Sequence, residues 1–180
     1  TEKTWYPSTI MSYDGKTYMM PYSLFFYGVI VNKTLLNQLN IPIPGYDWTI
    51  EEFLDIVAKA STDKNYGLWG ADAIITHLTP QLNPETGWAL INNNLKEYNL
   101  DEAFIQTVNT TKDVRDKKQA LDIVGAGLAD AAYTEAVQAA LGVDTPYTAY
   151  LQGVVALTFD FSWSLGLDTA DGFGGWEWDY

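Results

Sequence analysis

The 180-residue chain contains no cysteine, a single histidine, and ten lysines and arginines against 23 acidic residues. Without cysteine it can form neither disulfide bonds nor thiolate ligands, and this absence fits a reducing compartment and a cysteine-avoiding bacterial exterior equally well. His77 has no suitably spaced histidine or carboxylate partners, so we expect no metal site and read it as a helix residue. The formal net charge of −13 repels phosphate groups, so nucleic acid is not an expected partner.

Long apolar runs and phosphate-binding loops are also missing from the sequence. No stretch of about 18 uncharged apolar residues predicts a membrane-spanning helix, and Thr1 to Pro7 lack the regions of a secretory signal peptide. We therefore expect a soluble chain, with any signal peptide outside it. Gly125 and Gly127 lie in a helical pattern with no Gly-Lys-Ser/Thr sequence after them, so we expect neither nucleotide nor any other cofactor.

Hydrophobic residues make up 47% of the chain, and aromatic residues are abundant, with seven Trp, twelve Tyr and seven Phe. This composition is typical of a globular protein and argues against disorder. A chain of this length buries ~70% of its unfolded surface without disulfide bonds. We therefore expect one domain over residues 1–180.

Turn and capping residues predict the first half of the chain most clearly. Asp14 and Gly15 separate two extended pieces and predict a hairpin. The aromatic and β-branched run from Phe26 to Val31 predicts a strand, and Asn32 is placed to cap the helix that follows. Thr49 and Glu52 have the spacing of a capping box, with Trp48 as a hydrophobic staple before it.

The rest of the chain predicts further alternation of strands and helices. Tyr66–Gly70 and Val154–Phe159 predict strands, and Ala73–Leu78 predicts a helix that ends near Pro80. Asn99 with Glu102 predicts the start of another helix, and the Ala-rich stretch from Lys117 to Leu141 predicts one kinked or two separate helices, with Gly142 at C′. Pro146 predicts the start of a short helix that Gly153 ends. Such alternation favours an α/β or α+β fold.

Two segments resemble family 1 extracellular solute-binding proteins of bacterial ABC importers. The first is Tyr13–Tyr22 (YDGKTYMMPY) followed by Val31–Lys33 (VNK), and the second is Gly153–Trp163 (GVVALTFDFSW); Tyr46–Phe53 (YDWTIEEF) resembles a third motif. The chain departs from the family pattern in having Val154 instead of Lys, Leu157 instead of Met, Phe161 instead of Gly, and Val31 where an aromatic residue is usual.

The resemblance implies an α/β fold in which the chain is one lobe of a two-lobed, periplasmic-binding-protein-like structure, with a short mixed sheet flanked by helices. Residues 13–25 and 174–180 are then the expected crossover strands between lobes. Family members are usually more than twice as long, so the chain resembles a central excerpt from which most of the second lobe is missing. The resemblance also implies an extracytoplasmic location, in the periplasm or on the cell surface through a lipid anchor.

A carbohydrate site needs flat aromatic rings for the apolar face of the sugar, beside amide or carboxylate groups for its hydroxyls. The resemblance places Trp163 in such a cleft, flanked by Asp160 and Ser162, either of which has a second interpretation as a helix cap. Further candidates are Trp69, which alternatively packs in a strand, and the segment after Pro21, which alternatively is an ordinary buried strand and contributes Tyr22, Ser23 and Phe25.

The function that the resemblance implies is capture of a mono- or oligosaccharide and its delivery to the permease subunits of an ABC importer, without chemical conversion and therefore without catalytic residues. An alternative is a fragment of a glycoside hydrolase, because aromatic residues and paired carboxylates also line glycosidase clefts. A third possibility is an adhesion or scaffold domain whose exposed aromatic residues bind protein. The sequence alone leaves these alternatives open.

Overall fold

A computed structural model describes residues 11–19, 23, 25–87, 90–91, 97–122, 135, 138–139, 141–142, 151–162 and 175–179. No helix in these ranges is both long and apolar enough to span a bilayer. The elements with described bounds are, in chain order, β1 (Met11–Tyr13), β2 (Lys16–Met19), β3 (Tyr27–Asn32), α1 (Lys33–Gln38), α2 (Ile50–Ala60), β4 (Tyr66–Trp69), α3 (Ala73–Leu82), α4 (Glu102–Asp116), β5 (Ala120–Leu121), β6 (Val155–Phe161) and β7 (Trp178–Asp179).

Five of the strands form one mixed sheet in the order β5-β4-β6-β3-β7. Strand β4 pairs in parallel with β5 and β6, whereas β3 is antiparallel to both β6 and β7. Strands β1 and β2 form the predicted hairpin, with Asp14 and Gly15 both at positive φ in its turn. The short mixed sheet with helices confirms the expected α/β class.

The larger buried cluster lies on one face of the sheet, which we call the helical face. Leu157 of β6 and Leu68 of β4 pack there with residues of α1, α2 and α3, including Leu36, Val57 and Ile74. Helix α2 lies so close to β4 that a Cβ atom added at Gly67 would be 2.0 Å from the Val57 carbonyl oxygen. This position therefore has room only for glycine.

A smaller cluster contains Ile30 and Leu121 of the second face together with Val155 and Trp176. Trp69, Leu151 and Trp178 are partly buried against it. Asn32 lies in the sheet beside these residues and is 1% exposed. Both faces of the sheet are therefore covered by apolar residues, as in layered α/β proteins.

The predicted caps are confirmed at two helices. The Asn32 Oδ1 atom accepts from the Leu35 N–H at 2.9 Å and begins α1. Thr49 and Glu52 form both hydrogen bonds of the capping box at the start of α2. The Trp48 ring lies 5.8 Å from the Phe53 ring, centroid to centroid, which is the contact of a hydrophobic staple.

Three predicted boundaries were wrong. Helix α3 continues through Pro80 to Leu82, because a proline so near the C-terminus removes only one backbone hydrogen bond. Helix α4 is capped by Asp101, whose Oδ1 atom accepts from the Phe104 N–H, while Asn99 donates to Thr86 instead. Ala120–Leu121 form a strand where a helix was predicted, because pairing with β4 outweighs their helix propensity.

Other predictions lie partly outside the described residues. Gly142 and Gly153 have the positive φ expected of glycines that end helices. The helical interpretations of residues 123–134 and of Pro146–Tyr150 fall on residues that the structure does not describe. The interpretations of 1–180 as one domain, and of 13–25 and 174–180 as crossovers between lobes, remain predictions.

We predict that Asn32→Ala lowers the free energy of unfolding by roughly 2–4 kcal/mol, because it removes a helix cap and leaves buried backbone groups without partners. Besides its cap, the Asn32 amide donates to the carbonyl oxygens of Gly153 and Val155. For Thr49→Ala, which removes an exposed cap, urea unfolding should show that the free energy of unfolding falls by only about 1 kcal/mol. Asn32→Ser retains a capping oxygen, so full recovery of stability in this variant would contradict the role assigned to the amide.

Candidate functional site

Three parallel strands end at the same edge of the sheet, which we call the carboxyl edge. It comprises Trp69 at the end of β4, Asp122 just after β5, Asp160–Ser162 at the end of β6, and Phe25–Tyr27 at the start of the antiparallel strand β3. Ligands of open α/β sheets bind outside the carboxyl ends of the strands. Four of the predicted ligand residues lie here: Asp160, Ser162, Phe25 and Trp69.

Ser162 links the two central strands of this edge. Its backbone N–H donates to the Phe26 carbonyl at 2.8 Å, and its Oγ atom accepts from the Phe26 N–H at 3.0 Å. These bonds continue the pairing of β3 with β6 beyond Phe161. Ser162 therefore fixes the backbone just after β6. Its hydroxyl accepts a hydrogen bond from Phe26 and can also donate one, because a serine hydroxyl is both acceptor and donor.

Asp160 and Trp69 lie on the same face of the sheet. Trp69 is opposite Thr158 in the pairing of β4 with β6, and Asp160 is two residues further along β6. Because side chains alternate along a strand, residues two apart share a face. Across the other neighbouring strand Asp160 is opposite Gly28, which has no side chain. An aromatic ring and a carboxylate therefore occupy neighbouring strands on one face, the pairing of groups that a sugar site needs.

The surroundings of both side chains also support the structural interpretations. Trp69 is half-buried against the smaller hydrophobic cluster, so it packs as well as reaching the surface. The Asp160 Oδ1 atom accepts from the Phe161 N–H at 2.7 Å, which uses part of its hydrogen-bonding capacity within the chain.

A charged clasp holds the turn that follows Trp69. The Arg115 guanidinium donates to Asp72 at 2.7 Å and to Asp122 at 2.9 Å. The other oxygen of Asp122 accepts from the Ala71 N–H at 2.9 Å. Asp72 is at the N-cap position of α3 but makes no capping hydrogen bond with its side chain. Helix α4 therefore fixes the start of α3 and, with it, the carboxyl end of β4.

The remaining predicted residues differ in what the structure shows. Phe25 is 52% exposed at the start of β3, and Ser23 is also exposed, so the interpretation of this segment as a buried strand was wrong for these two residues. Tyr22 and Trp163, the residue that the resemblance favoured most, lie outside the described residues.

The helical face carries an aromatic cluster at the carboxyl edge that sequence reasoning missed. The Tyr27 ring stacks on the His77 ring at 4.1 Å between centroids, and His77 stacks on Phe159 at 4.8 Å. Phe161 contacts Tyr27 edge to face at 4.4 Å. The spacing of Tyr27 and Val29 predicts that they share one face of β3, and that of Phe159 and Phe161 predicts the same for β6. Only the pairing of the two strands brings these faces together.

Burial lowers the pKa of His77 from 6.5 to about 4, because a charged imidazole is poorly solvated between two aromatic rings. The imidazole is therefore neutral near neutral pH. Among the described residues no group of three or more His, Asp and Glu side chains could hold a metal ion. The site thus offers aromatic faces, hydroxyls, amides and carboxylates.

Residues 2–177 match the family model described as bacterial extracellular solute-binding protein. A search of curated proteins found no match. Among solved structures, the chain is similar to an ABC substrate-binding protein from Listeria monocytogenes in complex with cycloalternan, with 20% identity and a TM-score of 0.64. The match covers 99% of this chain and 44% of that one.

Two further solved structures share the fold. The GacH receptor of Streptomyces glaucescens, solved alone and with acarbose, is 20% identical with a TM-score of 0.59, over 96% of this chain and 43% of that one. A maltose/maltodextrin-binding domain from Bdellovibrio bacteriovorus bound to maltotriose is 18% identical with a TM-score of 0.56, over 91% of this chain and 39% of that one. The chain thus spans less than half the length of these three proteins.

We predict that the stability of the chain falls more steeply on acidification than that of His77→Phe. Because the pKa of His77 is lower in the folded state, its unfolded form gains a proton first, and stability is lost as pH falls from 6.5 towards about 4. Phenylalanine keeps the ring contacts and cannot titrate. Urea midpoints measured across this range should therefore decline less in the variant, and parallel declines would contradict the prediction.

Proposed function

Because the chain belongs to the bacterial extracellular solute-binding protein family, we propose that it forms one wall of a cleft that captures a mono- or oligosaccharide for an ABC importer. The observation that carries this proposal is the carboxyl edge, where Trp69 and Asp160 share a face and Phe25 is exposed at the same edge. Aromatic rings stack on the apolar face of a sugar, and carboxylates accept hydrogen bonds from its hydroxyls. In the sequence Trp163 directly follows Ser162, and we propose that it adds a further stacking platform.

The charge of the chain disfavours an anionic ligand. A formal net charge of −13 opposes anionic solutes, whereas uncharged sugars meet no such barrier. The three solved structures described above carry sugars or sugar analogues by their own descriptions, which supports the same ligand class here.

A second lobe, in a longer protein of which this chain is part, would supply the opposite wall. Residues 13–25 and 174–180 are the proposed crossovers, and we propose that the hinge lies where these two segments leave this lobe. Closure around the sugar by hinge motion would create the form that docks on the permease subunits. The family description supports an extracytoplasmic location, and a lipid anchor at the cell surface remains one form of it.

Capture of a sugar does not require its chemical conversion, and we propose that this protein catalyses none. Binding energy drives closure, and the sugar leaves unchanged for the permease. The competing hydrolase interpretation requires two carboxyl groups flanking a glycosidic bond, at ~5 Å or ~6.5–9.5 Å from each other. Incubation with oligosaccharides therefore separates the two functions directly.

The first test is a tryptophan-fluorescence titration of the complete protein with maltose through maltoheptaose and with other neutral oligosaccharides, followed by chromatography of the same mixtures. We expect a saturable change without products. Appearance of shorter sugars would identify a hydrolase instead. The absence of a fluorescence change with every sugar of the panel would contradict a carbohydrate ligand.

A second test changes Asp160 of the carboxyl edge and Trp163, which follows this edge in the sequence. We predict that Trp163→Ala weakens sugar binding by ~1–3 kcal/mol and leaves the unfolding transition intact, because a stacking surface is lost. Asp160→Asn removes the charge but keeps the shape, and we expect a smaller loss. Tyr98→Ala, which removes an exposed aromatic ring outside this edge, provides the control. Unchanged affinity in both site variants would remove β6 from the ligand site.

A further inference from the structure

A groove lies on the helical face of the sheet, on the opposite side from Asp160 and Trp69. It consists of two adjoining cavities of about 330 and 440 Å³, which share Tyr27–Val29, Tyr46 and Trp48 as a common wall. Each volume is within the range of small-molecule sites. We call this feature the Tyr46 groove.

Flat aromatic surfaces line the Tyr46 groove at fixed positions. Trp48 is held by its contact with Phe53, and Tyr27 by its contacts with His77 and Phe161. Tyr46 is 88% exposed, so packing against other residues of this chain does not explain why it lines the groove. Exposed rings beside fixed rings are suited to stacking on the apolar face of a sugar.

Polar groups lie at both ends of the groove. Gln81 of α3 lines the first cavity, and Asp179 of β7 lines the second. Strand β7 is held in place by Glu177, whose backbone N–H donates to the Thr34 hydroxyl at 2.7 Å and whose carboxylate pairs with Lys33 at 2.6 Å. An amide and a carboxylate at separate ends suit the hydroxyls of successive sugar rings.

The charges exclude some other ligands. Among the described residues, no lysine or arginine lines either cavity, so a phosphate or sulfate group would find no positive partner. An ammonium ion would suit the aromatic rings, but only Asp179 would balance its charge. The distribution of amide, carboxylate and rings along the groove therefore favours a neutral ligand longer than one ring.

The position of the groove connects it to the proposed cleft. Tyr27 lines both cavities and also contacts Phe161, which belongs to the carboxyl edge. A sugar chain that leaves the cleft across this edge would enter the groove at Tyr27. We propose that the Tyr46 groove is an extension subsite, which binds the outer rings of a neutral oligosaccharide whose inner rings lie in the cleft. This inference rests on the proposed function.

The test compares ligands of different length in the complete protein. Tyr46→Ala and Gln81→Ala should each reduce the affinity for maltohexaose and maltoheptaose by roughly 3- to 10-fold, the amount of one stacking or hydrogen-bonding contact. Their affinity for maltose should change less than about 2-fold, because a short sugar does not reach the groove. Tyr98→Ala removes a tyrosine that is 68% exposed elsewhere and should leave both affinities unchanged.

The outcomes separate this inference from the proposed function. If the wild type and both groove variants bind maltooligosaccharides of every length with the same affinity, the extension subsite is overturned and the proposal of sugar capture stands. Equal losses for short and long sugars would place these residues in the cleft and also overturn it. Binding of choline at Tyr46 instead of sugar would assign the groove to cations. Absence of all sugar binding in the wild type would contradict the proposed function itself.

Discussion

The arrangement of the sheet depends on the side chain of Asn32. One buried amide begins helix α1 through its oxygen and binds the carbonyl oxygens of Gly153 and Val155 through its nitrogen. It thus joins segments more than 120 positions apart in the sequence and sets where β6 lies beside β3. Because a buried amide without partners is costly, its hydrogen bonds favour one register over slipped alternatives. The pairing of Gly28 with Asp160 and the bonds between Phe26 and Ser162 follow from that register.

The two faces of the carboxyl edge have different chemical characters because side chains alternate along each strand. On one face Asp160 and Trp69 lie near each other, beside a glycine that leaves space. On the other face the rings of Tyr27, His77 and Phe159 stack and lower the pKa of the histidine. One short sheet therefore offers a polar, partly open surface and an aromatic one at the same edge. A ligand with apolar faces and a polar rim can use both surfaces.

The clasp around Arg115 shows how the edge is held without a large core. Arg115 binds two carboxylates, one at the start of α3 and one at the end of β5, and Asp122 also fixes the Ala71 N–H. Partly exposed ion pairs of this kind contribute little stability individually. Their geometric effect is larger, because they fix the turn after Trp69 relative to the neighbouring strand. An extended ligand-binding surface requires such positional order more than additional stability.

Local signals in the sequence determined the hairpin at Asp14, the caps at Asn32 and Thr49, the Trp48 staple and the succession of strands and helices, because each depends on residues close to one another in the sequence. They misplaced Asn99 and Ala120, where tertiary partners outweigh local preference: Asn99 binds Thr86, and Ala120 pairs with β4. They also ended α3 near Pro80, although the helix continues to Leu82. The sequence also indicated which residue types serve a sugar, including Asp160 and Trp69. Only the tertiary structure decided that these two share a face, that Tyr27 stacks on His77, and that Tyr46 borders a groove, because strand order and register are set by contacts between distant segments.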